Sequence, residues 1–144
     1  MVTDHVMTPV IQEEPTGCGI AACAALAGLD YETARTRAAA LGIHASDRTL
    51  WSQTVHVRRL LASLGIETIE GEQPFTDWED LPDRALLAIK WRRIDGVPFW
   101  HWVVFMRTER ESVVLDSKAA LRHHMRRDFG RIKPKWFIEV DSRA

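Results

Sequence analysis

Several kinds of residue are scarce in this chain, and each scarcity excludes something. Cysteine occurs twice, at Cys18 and Cys23, and tyrosine once. The two cysteines fall on different sides of one expected helix, so no disulfide is expected between them. A reduced, cytoplasmic protein is the simplest reading of that pattern. Excess charge of either sign is missing too. A formal net charge of −1 provides no bulk attraction to nucleic acid or to an anionic membrane. Long apolar runs are also absent. The longest covers residues 20–29 with Gly28 inside it, far short of the ~20 apolar residues that span a bilayer. Residues 1–9 have neither a basic start nor an apolar run, so they do not read as a secretory signal.

What remains is globular: 144 residues, 46% hydrophobic and 27% charged. No repeat, low-complexity tract or linker divides the chain, so one domain over residues 1–144 is expected. Residues 1–14 are expected to be extended or irregular, carrying Gln12 toward a helix over 18–28. The turn-prone Pro15-Thr16-Gly17 leads into that helix. Small apolar residues surround its axis on every side, which predicts a buried central helix.

A second helix fits residues 30–41. Asp30 can cap it, Tyr31, Ala34, Ala38 and Leu41 share a face, and Gly42 stops it. A loop follows over 44–49, with Ser46 or Asp47 as a cap for a third helix over 50–64. In that helix Val57, Leu60, Leu61 and Leu64 keep helical spacing. Residues 66–70 read as a short strand, and 71–82 as a polar connection with a helical turn at 76–81. Strands are expected over 85–91, 99–107 and 112–116, with a turn at 92–98. A short helix over 119–127 and a closing strand over 136–140 complete the chain. Helices followed by antiparallel strands describe an α+β domain.

The chemistry starts at Cys18. The free amide N–H groups and the positive dipole end of a helix start favour a thiolate there. A thiol nucleophile needs a base, and the histidines are His5, His44, His56, His101, His123 and His124. His101 lies in Phe-Trp-His-Trp-Val-Val-Phe, where a charged imidazole is costly without a counter-charge nearby. Asp116, ending Ser-Val-Val-Leu-Asp, is the candidate. A two-residue hairpin loop at Thr108-Glu109 pairs Arg107 with Arg110 and sets His101 opposite Asp116, although it lacks the Gly or Asn that loop prefers. A four-residue loop at 108–111 pairs Arg107 with Ser112 and sets His101 diagonal to Asp116. Both registers keep the two side chains on one face. A three-residue loop would separate them.

Roles follow from those residue types. Cys18 would attack an acyl carbon, His101 would move the proton, and Asp116 would hold the imidazole and its charge. The backbone N–H of Cys18 and the side-chain amide of Gln12 would receive the oxyanion. Cys23, among alanines, reads as a small buried hydrophobe. Trp91, Trp100 and Trp102 read as packing for the other face of the sheet. His123-His124 has no metal-ligand spacing. Arg122, Arg126, Arg127, Arg131, Lys133 and Lys135 read as a solvated basic face.

Gln12, the step to Cys18-Gly19, the small-residue helix ending at Gly28, His101 followed by Trp-Val-Val, and Val-Leu-Asp116 together resemble the C39 family of papain-like cysteine peptidases. The resemblance runs from Gln12 to Asp116. It implies a papain-like fold with a helical N-terminal half packed on an antiparallel sheet. It also implies a Cys18-His101-Asp116 triad, with Gln12 in the oxyanion hole, a peptide or protein substrate, and no metal or cofactor. The chain departs from the family at Gly17, where Asp is common, and at Ser117, where Pro is common. The best-known members are domains of peptide-exporting ABC transporters that cut leader peptides after a Gly-Gly pair, and this sequence shows no Walker motif. The expected activity is hydrolysis of a peptide or isopeptide bond. The same triad also serves acyl transfer of transglutaminase or deamidase type, and the same fold can serve as a non-catalytic peptide-binding module.

Overall fold

The computed structural model describes residues 7–141; His5 and the rest of the expected extended start over 1–6 lie outside the described residues. Helix α1 (Cys18–Ala27) is buried from Cys18 to Leu26. Its small side chains let it lie close to its neighbours. A Cβ on Gly19 would come within 3.2 Å of both Leu50 and Trp102, so glycine sets the approach of α1 to the sheet. Gly28 ends the helix in the left-handed region (φ 70°), with Leu29 N–H bonded back to the Ala24 carbonyl at 2.9 Å. Helix α2 (Tyr31–Ala40) is capped by Asp30, whose carboxylate accepts from Thr33 N–H at 2.7 Å, and buries Tyr31, Ala34 and Ala38.

The expected third helix is broken in two. A 3-10 turn (Arg48–Trp51), capped by Asp47, precedes helix α3 (Val55–Ser63). Tertiary bonds account for the break. The Leu50 carbonyl, which a continuous helix would give to the Thr54 amide, accepts the Trp102 indole N–H at 2.9 Å. The Ser52 hydroxyl donates to the Pro98 carbonyl at 2.6 Å.

Six antiparallel strands form one sheet: β1 (Gln73–Pro74), β2 (Arg84–Ile94), β3 (Val97–Arg107), β4 (Ser112–Leu115), β5 (Met125–Arg126) and β6 (Trp136–Glu139), in the order β1-β6-β2-β3-β4-β5. Three expectations need correction. Residues 66–70 make only a bridge between Thr68 and Val140, because the Arg58 guanidinium takes the Ile69 and Gly71 carbonyls at 3.0 and 2.8 Å. The expected turn at 92–98 shrinks to Asp95-Gly96, both at positive φ (52° and 80°), a two-residue hairpin loop that such a dipeptide favours. The expected helix over 119–127 is absent. Its end is instead β5, paired with β4 and held by Arg126 on Asp116 and Asp128.

The sheet is covered on both faces. Leu86, Ala88, Trp102, Val104, Met106, Val113 and Leu115 pack with the helices. Leu87, Ile89, Val103, Phe105 and Val114 pack under Phe75, Trp78, Phe129 and Phe137. Trp100 and Trp102 lie in the helix-side core, edge-on to Trp136 at 4.8 and 5.6 Å, and half-buried Trp91 joins them. Beside His101 the β2–β3 ladder slips. Ile89 pairs with His101 and Arg92 with Phe99, so Lys90 and Trp91 oppose Trp100 alone, and Lys90 sits at φ 53°. This is a β-bulge, a device that bends a strand and re-aims its side chains.

Candidate active site

Four parts of the chain meet at one end of the sheet. The start of α1 supplies Cys18, β3 supplies His101, the residue after β4 is Asp116, and the segment before α1 carries Gln12. The β3–β4 register decides how two of them meet. Arg107 pairs with Ser112 and Val104 with Leu115, which is the four-residue loop at 108–111. His101 is therefore diagonal to Asp116 on the same face, and its Nε2 lies 2.7 Å from Asp116 Oδ1. With Nε2 so engaged, Nδ1 is the ring nitrogen left to face the thiol. The Cys18 thiol shares one cleft with the imidazole. It also accepts the Trp102 backbone N–H at 3.5 Å.

Asp116 is 1% exposed and has every oxygen engaged. Oδ1 also accepts the Lys118 backbone N–H at 3.1 Å, and Oδ2 accepts from Arg126 at 2.9 Å. Its backbone carbonyl bonds His124 Nδ1 at 2.8 Å. Burial pushes its carboxyl upward, but the His101 bond and charge, the Lys118 amide and Arg126 outweigh it and hold it down at about 2. Burial likewise opposes charge on His101, yet Asp116 and the sulfur of Cys18 outweigh it and push the imidazole up to about 9. The pair therefore favours imidazolium beside carboxylate. Cys23 stands apart. It is fully buried, its sulfur points at the Val57 carbonyl at 3.8 Å, and burial followed by the nearby Cys18 raises its thiol pKa.

Gln12 reaches the site with its amide committed. Nε2 donates to the carbonyls of Glu14 and Pro15 at 3.0 and 2.8 Å, and Oε1 accepts the Ser117 hydroxyl at 2.9 Å. Gln12 N–H also bonds the Ser117 carbonyl at 3.0 Å. Ser117 thus ties the Gln12 segment to the end of β4, a link through a hydroxyl that proline at 117 lacks. The expected free oxyanion donor is, in this structure, a donor already holding two carbonyls.

Gly17 has an equally local explanation. Any Cβ there would overlap the Tyr31 hydroxyl, which donates to Glu14 at 2.6 Å. A side chain at 17 would have to displace that tyrosine hydroxyl. Gly17→Ala is therefore expected to lower unfolding free energy by about 1–3 kcal/mol, as overpacking does, measurable by urea denaturation.

Arg126 is a participant that sequence reasoning assigned to a solvated basic face. Its guanidinium bridges Asp116 and Asp128 at 2.9 and 2.8 Å and its side chain is 16% exposed. No local pattern marks it, because β5 forms only through pairing with β4. Arg126→Met leaves Asp116 Oδ2 buried without its partner and should cost about 1–3 kcal/mol of stability, read by the same denaturation. Lys90, Arg92 and Lys118 are further residues the sequence did not single out. They line the cleft around Cys18 and His101, of about 380 Å3, with Gln12, Pro15, Thr16, Trp51 and Trp100. A larger groove of about 720 Å3, beside the end of α1, is lined by neither cysteine nor histidine. His56 is bonded to Thr49 at 2.7 Å, away from these residues. Among the described residues no three His, Cys, Asp or Glu side chains gather as a metal site, and no helix is long and apolar enough to cross a membrane.

No protein-family model matches the chain, and no curated protein matches it. Among solved structures it is similar to a double glycine motif protease from an AMS/PCAT transporter, crystallised in complex with the leader peptide. The likeness has a TM-score of 0.62 at 14% identity and covers 94% of this chain and 91% of that one. Three helices against a six-stranded antiparallel sheet, superposing over nearly the whole of both chains, make this an α+β protein of papain-like fold.

Proposed function

We propose that this protein is a C39-like cysteine peptidase, a thiol hydrolase that cleaves a peptide or isopeptide bond through an acyl-enzyme on Cys18. The observation that carries the reading is that Cys18, at a helix start, and His101 line one open cleft, with His101 bonded to the buried Asp116 behind it. Similarity of fold to a protease crystallised with a peptide supports a peptide as partner. The free thiols at Cys18 and Cys23 fit a cytoplasmic protein.

In the proposed reaction His101 Nδ1 holds the thiol proton. The Cys18 sulfur attacks the carbonyl carbon, and a C–S bond forms as the carbonyl oxygen takes the negative charge. The Cys18 N–H, one of the amides left without a helical acceptor in the first turn of α1, donates to that oxygen. Gln12 serves as the second donor by releasing the carbonyl of Glu14 or Pro15. Collapse of the intermediate breaks the C–N bond, and His101 gives its proton to the departing amine. Water, deprotonated by His101, then releases the acyl group and restores the thiol. Asp116 stays ionised throughout and keeps Nε2–H engaged, which fixes the ring.

The test is digestion of a synthetic peptide library, with new N-termini identified by mass spectrometry. Cleavage at a consistent motif by the wild type and none by Cys18→Ala is expected. Equal cleavage by both would remove the reading.

A further inference from the structure

The net charge of the chain is near zero, but the charge lining the cleft is not. Lys90, Arg92 and Lys118 line it, with no Asp or Glu in the lining. Among the described residues none of the three makes an ion pair with a carboxylate. Lys90 is presented from the bulge with its backbone in the left-handed region, an uncommon conformation for a residue with a side chain. Lys118 lines the same cleft, and burial followed by the charge of Lys118 lowers the Lys90 pKa. Three cations lining one cleft without an acidic side chain among them, one on a backbone in the left-handed region, suit an anionic group of a ligand.

Their position says which part of a substrate would supply it. Lys118 lies two residues after Asp116 and gives its amide to that carboxylate at 3.1 Å. Lys90 follows Ile89, the residue that pairs with His101 across the β2–β3 ladder. The cations therefore stand on the His101–Asp116 flank of Cys18. In the proposed reaction His101 protonates the leaving amine, so the leaving half of the substrate passes over that flank.

We infer that Lys90 and Lys118, with Arg92 beside them, form a carboxylate-binding subsite that selects peptides with an acidic residue C-terminal to the bond cut at Cys18. The inference rests on the peptidase reading and names its substrate class.

The experiment compares wild type with Lys90→Gln/Lys118→Gln on two peptide libraries, one with amidated and one with free C-termini. In wild-type digests Asp and Glu should be enriched within the first few positions after the cut. For a cleaved amidated sequence and its Glu-to-Gln analogue, the wild-type ratio of kcat/KM should favour Glu about tenfold, and the double variant should bring it close to one. Raised salt should shrink the wild-type ratio. Enrichment confined to free C-termini would assign the same subsite to a terminal carboxylate. Cleavage with no acidic preference in either library would overturn the subsite and leave the peptidase reading standing. A preference unchanged in the double variant would overturn its assignment to these lysines. Failure of wild type to cut any peptide would overturn the peptidase reading and the subsite together.

Discussion

Cys18→Ala is expected to abolish turnover, and His101→Ala to lower kcat/KM by about 10³-fold or more, in proteins that still fold. The size of the effect follows from how few groups share the work. No other cysteine reaches the cleft, since Cys23 is buried against Val57. Among the histidines of the described residues, His101 is the one that lines the cleft. Folding should survive both changes for identifiable reasons. Cys18 makes one weak bond, from Trp102 N–H, and alanine fits its place in a helix of small residues. Loss of His101 leaves Asp116 paired with Arg126 and the Lys118 amide, so no buried charge is stranded. Circular dichroism and a cooperative thermal melt check the fold while library cleavage reads the activity.

Asp116→Asn is expected to move the alkaline limb of the pH–rate profile downward by about 1–3 pH units, with a fall in the maximum rate. In the wild type the imidazolium beside Asp116 persists until His101 deprotonates at about 9, which places that limb. Burial alone would lower the His101 pKa. The Asp116 hydrogen bond and charge are among the causes that reverse it, so a neutral amide at 116 lets burial weigh more. Stability follows the same pair. His101 is raised from 6.5 to about 9, so its contribution is complete below 6.5 and is lost as pH rises through about 9. Asp116 is lowered from 3.8 to about 2, so its contribution is complete above 3.8 and is lost as pH falls through about 2. Unfolding free energies in buffers from acid to alkaline should show that contribution at its fullest between about 4 and 6.5 in the wild type. Asp116→Asn should flatten both edges.

How much was legible depended on how local each cause is. The start of α1 and its end at Gly28 follow from turn residues and small apolar side chains within a dozen positions. The approach of His101 to Asp116 was readable because a hairpin admits few registers, and the four-residue alternative is the one adopted. Asp95-Gly96 was equally local, a two-residue turn signal inside an expected longer turn. Other features needed the folded neighbours. The helix expected at 50–64 breaks because the Trp102 indole, far away in sequence, takes the Leu50 carbonyl. Residues 119–127 have helical propensity, yet the end of that stretch pairs with β4 and its Arg126 answers Asp116. Lys90, Arg92 and Lys118 meet through a bulge and the residues beyond Asp116, which no spacing in the chain foretells.

Activation of Cys18 by His101 is read from alkylation kinetics. Iodoacetamide is applied near neutral pH to wild type and to His101→Ala, with modification at Cys18 and Cys23 followed by peptide mapping. Cys18 should react much faster than Cys23 in the wild type, and the Cys18 rate should fall sharply in His101→Ala although the thiol is no less accessible. Equal rates at the two cysteines, or a Cys18 rate indifferent to the loss of His101, would contradict that activation.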